Sequence, residues 1–140
     1  MLNWISLRSR PDVSCAVSTS ASTLTVGPQE TTKWVRRIWN YLAGTKHEVL
    51  TFNGTVSWNM TIAADVSLCP GGDRSRTGIV VLLVGCAVHR VCMKQNVAAL
   101  SSCEAEWGVR VHGIKTGLGI RAVVKELLGP VPLELQGVII

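Results

Sequence analysis

The stretch Lys94-Gln95-Asn96-Val97-Ala98-Ala99-Leu100-Ser101-Ser102-Cys103-Glu104-Ala105-Glu106-Trp107 constrains this chain most, because it turns a short polar strand into a helix whose first turns carry two acids. Ser101-Ser102-Cys103-Glu104 fits a capping box, in which the Ser101 hydroxyl accepts from a first-turn amide and Glu104 reaches back to the cap. Glu106 lies about 200° further round a helix that turns 100° per residue, which leaves it free to face a sheet. Beyond it Trp107, Val111, Ile114 and Leu118 form one apolar stripe, Val124, Leu127 and Leu128 follow, and Gly129-Pro130 stops the helix. Gly108, Gly113, Gly117 and Gly119 each cost about 1 kcal/mol relative to alanine, so this helix holds only by packing, or breaks near Gly117.

Upstream, Val49 to Phe52 and Ser57 to Ala64 are strand-like around Asn53-Gly54, a hairpin turn signal, and the second of them delivers Asp65. Trp58, Met60 and Ile62 share one face, so alternation places Asp65 on the other with Asn59, Thr61 and Ala63, where it can face a helix crossing the sheet. A glycine-rich basic turn follows, Pro70-Gly71-Gly72-Asp73-Arg74-Ser75-Arg76-Thr77-Gly78. Gly78 to Arg90 then reads as one strand buried on both faces, with Met93 to Leu100 as a third.

Before these strands, Trp34, Val35, Ile38, Tyr41 and Leu42 recur at helical spacing with Lys33, Arg36, Arg37 and Asn40 on the other side, and Gly44 stands where a C-cap belongs. This predicts a basic amphipathic helix from about Pro28 to Ala43. Residues 1 to 27 are rich in Ser and Thr and read as an arm or short helix followed by a loop.

A length of 140 residues with 47% hydrophobic side chains supports one domain, or a domain plus an arm, without help from metal or disulfides. Five cysteines form no Cys-x-x-Cys pair and speak against a disulfide framework, hence for a reducing compartment. The first residues lack the apolar run and cleavage site of a signal peptide. The longest apolar run, Ile79 to Val88, is half the roughly 20 residues a spanning helix needs, so an intracellular protein, cytoplasmic or nuclear, is expected. A net charge of +5 is compatible with a polyanionic partner.

Arg10-Pro11-Asp12-Val13 with Ala16-Val17, Trp34 with Arg37-Ile38 and Tyr41-Leu42-Ala43-Gly44-Thr45, Asp65 with Asp73-Arg74-Ser75-Arg76-Thr77-Gly78, and Lys94-Gln95 with Ala99-Leu100-Ser101-Ser102-Cys103-Glu104-Ala105-Glu106 follow one another in a telling order. The series resembles the ribonuclease H region of copia-type retrotransposon Pol polyproteins, over about residues 10 to 129. The resemblance implies an α/β, ribonuclease H-like fold: a mixed sheet of about three to four strands with a long helix after the third, preceded by an N-terminal arm and the basic helix. Residues 1–45 would then be the arm and connecting helix from the end of a reverse transcriptase region, and 46–140 a ribonuclease H-like domain incomplete at its C-terminus.

By the same resemblance the partners are an RNA:DNA hybrid and the remainder of a Pol polyprotein, and the chemistry is two-Mg²⁺ hydrolysis of the RNA strand. Asp65 matches the first family acid and Glu106 the helix acid, both as catalytic and metal-binding residues. Arg74, Arg76 and Lys94 are candidates for backbone contacts, which position a duplex without reading its sequence. The family's second aspartate is Ser67 here. Its strand after the long helix ends in Asp-Asn, and the nearest register puts Val138 at that Asp; Glu134 would sit about 13 Å away along the strand, too far to replace it. Two of four acids are therefore expected and the two-ion site is incomplete, which leaves a non-catalytic, nucleic-acid-binding or structural remnant as the alternative. Cys86, His89 and Cys92 suggest zinc only superficially, since simple strand alternation points His89 away from both cysteines.

Overall fold

The computed structural model describes residues 1–52, 58–67, 74–96, 98–130 and 134–139, and the chain divides into two compact units, Met1–Thr51 and Phe52–Ile140, where the sequence suggested a division at 45/46. The expected Asn53-Gly54 turn lies outside the described residues.

The first unit is helical throughout its first half: the short helix offered as one reading of the start is present, and the loop expected after it is helical as well. Helix α1 spans Leu2–Arg8, α2 spans Ser14–Ser22 and α3 spans Pro28–Gly44, with short 3₁₀ turns at Pro11–Val13 and Thr23–Thr25. The Ser/Thr-rich segment tolerates helix because its hydroxyls donate to carbonyls one turn back: Thr19 to Cys15 O at 2.9 Å, Ser22 to Ser18 O at 3.0 Å and Thr23 to Ser20 O at 2.7 Å. Its core is Val13, Val17 and Ile38, flanked by Leu2, Ala16 and Leu42. Helix α3 matches the expected amphipathic helix, with Gly44 as its last residue and Thr45 as the cap.

The second unit is α/β. Strands β1 (Asn59–Ser67), β2 (Arg76–Leu83) and β3 (Cys86–Lys94) are followed by the long helix α4 (Ser102–Leu128) and by β4 (Glu134–Ile139), in a sheet ordered β3-β2-β1-β4. The first three strands are antiparallel neighbours, while β4 runs parallel to β1 after the helical crossover, the usual way to join parallel strands. Residues 48–52 form no strand.

The run read as one strand from Gly78 to Arg90 is a hairpin. Val84 and Gly85 both take positive φ, 53° and 76°, and turn β2 into β3. That pair of angles is the two-residue turn whose twist suits a hairpin, and it is concealed in sequence by the apolar residues on either side. β3 ends at Lys94, so the strand expected over Met93 to Leu100 is absent from 96 and 98–100 among the described residues.

β3 also carries a bulge. Val81 pairs with His89 but Leu82 with Ala87, which leaves Val88 as the extra residue. Directly paired residues share a face, so Cys86 (opposite Leu83) and His89 (opposite Val81) lie together and Cys92 (opposite Gly78) lies across the sheet. The expected grouping of the two cysteines is thereby reversed, although the three still do not converge. Among the described residues Cys86 and Cys103 are free thiols.

The core of this unit lies between the sheet and α4: Met60, Ile62 and Ala64 of β1, Ile79 and Val81 of β2, and Val109 and Val124 of the helix. The expected packing face of α4 is corrected here. Trp107, Val111, Ile114 and Leu118 are exposed, and Ala105, Val109, Gly113, Gly117 and Val124 face inward. A Cβ on Gly113 would come 3.2 Å from Ile62 Cγ2, and one on Gly117 would collide with Ile62 Cδ1, so these glycines let the helix lie close on the strand. No helix is long and apolar enough to cross a membrane among the described residues.

Candidate functional site

Helix α4 begins as its sequence requires. Ser101 Oγ accepts the Glu104 amide at 3.2 Å, and Glu104 Oε2 accepts the Leu100 amide at 2.7 Å, so the acid satisfies an amide ahead of the helix. One oxygen of the exposed Glu104 carboxylate is thus engaged in holding the helix start.

Sequence reasoning assigned no role to Gln95. Its side-chain amide donates to Thr77 Oγ1 at 3.1 Å and to the Ala105 carbonyl at 3.2 Å, while its backbone amide donates to Ser75 O at 2.7 Å. One residue therefore ties the strand β2, the end of β3 and the first turn of α4 together. Its signal was an amide side chain in the polar step Lys94-Gln95-Asn96 between strand and helix.

Glu106 is half-buried, one residue round from the inward-facing Ala105, and its Oε2 lies 3.9 Å from Arg110 Nη2 in an i, i+4 pair. Asp65 is exposed near the end of β1, where its Oδ1 accepts the Val66 amide at 2.8 Å. Helix α4 covers the Met60, Ile62 and Ala64 face, so strand alternation puts Asp65 in the set that faces away from it. The expectation that the helix would cross Asp65's face is corrected accordingly.

Asp65 instead shares its face with two of the candidate cations. Asp65 pairs with Gly78 and that residue with Cys92, while one step along Ser67 pairs with Arg76 and Arg76 with Lys94. Directly opposed side chains on one face stand about 4.5–5.5 Å apart at Cβ, so Arg76 and Lys94 form a positive row beside the acid. Arg74 is exposed just before β2.

On β4, Glu134 pairs with Asn59 and Val138 with Ile62, with a register irregularity between. Val138 therefore stands level with Ile62 rather than with Asp65. Among the described residues no group of three or more His, Cys, Asp or Glu side chains could hold a metal ion. Asp65 and Glu106 by themselves do not fit two Mg²⁺ ions, each of which wants octahedral oxygen coordination.

Comparison with protein-family models, with curated proteins and with solved structures gave no match for the chain.

Proposed function

We propose that the chain is a fragment of a copia-type Pol polyprotein that contains its ribonuclease H-like region, with hydrolysis of RNA in RNA:DNA hybrids impaired by an incomplete Mg²⁺ site. The observation that carries this reading is the agreement of two orders. The motifs around Arg10, Trp34, Asp65 and Lys94-Gln95 through Glu106 follow the order of that family, and three strands, a long helix and a further strand follow the order that the resemblance implies. Asp65 and Glu106 are the residues assigned to metal and catalysis in this reading. Arg74, Arg76 and Lys94 are assigned to the hybrid's backbone, and an intracellular setting, cytoplasmic or nuclear, goes with it.

One observation favours the alternative, a non-catalytic remnant that only binds nucleic acid. The row formed by Arg76 and Lys94 lies on Asp65's face, away from the helix that carries Glu106. Cations so placed can neutralise phosphates without any metal chemistry.

Both readings are tested by incubating labelled RNA:DNA hybrid with the chain and Mg²⁺, beside Asp65→Asn and Glu106→Gln. Residual cleavage abolished by either substitution supports the impaired enzyme. Hybrid binding without cleavage, weakened by salt and by Arg76→Ala or Lys94→Ala, supports the remnant. Cleavage that survives both acid substitutions would falsify the site assignment.

A further inference from the structure

The outward stripe of α4 has the spacing of an interface. Trp107, Val111, Ile114, Leu118, Arg121, Lys125 and Leu128 succeed one another at alternating steps of four and three residues, the heptad seam of a helix that pairs with another helix. Trp107 is 67% exposed, Ile114 47%, Leu118 50% and Leu128 56%. Glycine and small residues bring the opposite side of the helix onto the sheet, so these larger side chains are left over from the core rather than part of it. A contiguous apolar stripe on a surface marks a place where something docks.

We propose that this stripe joins two copies of the chain through an antiparallel α4–α4 contact with two-fold symmetry. The charge along the helix selects both the occupant and its direction. Glu104 stands on the seam at the N-terminal end, and Arg121 and Lys125 at the C-terminal end, all exposed. A parallel pair would set Arg121 on Arg121 and Lys125 on Lys125.

An antiparallel pair centred between His112 and Gly113 matches Trp107 with Leu118, Val111 with Ile114, and Glu104 with Arg121, each twice over. Each of these three layers is then apolar on apolar or acid on base, and the two helix dipoles oppose, which favours the same direction. The Leu100 side chain, 95% exposed, comes level with the aliphatic stem of Lys125. A single helix pair is smaller than the ~1,200–2,000 Å² of a standard stable interface, so the dimer is a weak, concentration-dependent one.

The test uses the full chain in a Cys103→Ser background, because Cys103 is an exposed free thiol. Sedimentation across a wide concentration range should show monomer passing reversibly to dimer. Ile114→Glu should abolish dimer with the circular dichroism spectrum unchanged, since the side chain lies outside the core. Arg121→Glu should weaken the dimer by tenfold or more.

Orientation is read by oxidative cross-linking. A mixture of Val111→Cys and Ile114→Cys chains should link to one another, while neither variant links efficiently to itself. A chain monomeric at every concentration, a folded Ile114→Glu variant that dimerises like the parent, or self-linking of Ile114→Cys in preference to the mixture each overturns the proposal. So does sedimentation with anionic lipid vesicles in place of self-association.

Discussion

At the scale of single residues, Arg10 is the most heavily engaged side chain of the first unit. Its Nε and Nη2 donate to the two Asp12 carboxylate oxygens at 3.0 and 2.7 Å, Nη1 donates to Thr45 O at 3.0 Å, and Nη2 also donates to Thr45 Oγ1 at 2.6 Å. The guanidinium carbon is 5.5 Å from the centre of the Tyr41 ring. The forked guanidinium thus fastens the segment before α2 to the C-terminal cap of α3, a geometry that lysine cannot supply. Hydrogen bonding from Arg10 holds the Asp12 carboxyl below its ordinary value of 3.8, against the opposing effect of partial burial. A depressed acid contributes its stability above the unfolded value and loses it as pH falls through the folded one. Nuclear magnetic resonance titration should therefore place the Asp12 midpoint below 3.8, and Arg10→Ala should raise it. An unchanged midpoint in the variant would detach Asp12 from this pair.

At the scale of elements, α4 shows how far periodicity carries and where it misleads. Its limits and its cap at Ser101 and Glu104 were legible, because hydroxyl and carboxylate at that spacing have few other uses ahead of a helical period. Its packing face was not. Hydrophobicity picks out Trp107, Val111, Ile114 and Leu118, while close approach selects residues for smallness, and Gly113 and Gly117 carry no hydrophobic signal. Gly85 was similarly hidden inside an apolar run although it turns the chain between β2 and β3. The glycines of α4 consequently separate into two kinds with opposite responses to alanine. At Gly119 nothing lies within 4 Å of the added Cβ, so Gly119→Ala should stabilise the chain by up to about 1 kcal/mol through helix propensity. At Gly117 the new methyl must displace the end of the Ile62 side chain, itself 2% exposed and set in a close-packed core. Overpacking of about 1–3 kcal/mol outweighs the same propensity gain, so Gly117→Ala should lose about 1 kcal/mol in a urea unfolding series. Equal shifts for the two variants would mean that α4 does not rest on β1 through its glycines.

At the scale of the whole molecule, each unit encloses a core of its own, Val13, Val17 and Ile38 in the first and the Met60, Ile62 and Val109 group in the second. The candidate site belongs to the second unit, and its legibility was uneven for a physical reason. A resemblance of motifs assigns acids to roles, but only strand alternation and the helix's packing face decide which side of the sheet each acid occupies. Asp65 and Glu106 are carried by elements that meet through Met60, Ile62, Gly113 and Gly117, and Asp65 alternates away from that contact. This bears directly on metal binding. A ligand held only by the folded chain raises stability by about 2.7 kcal/mol when present at a hundred times its dissociation constant, which amounts to several degrees of melting temperature for a chain of this size. With two carboxylates on opposite sides of the sheet, Mg²⁺ at millimolar concentration should shift the melting temperature no more than a monovalent salt of equal ionic strength. Asp65→Asn and Glu106→Gln should respond like the parent. A saturable rise with Mg²⁺ that either substitution removes would restore a metal site to the chain and would favour the proposed impaired enzyme over the non-catalytic alternative.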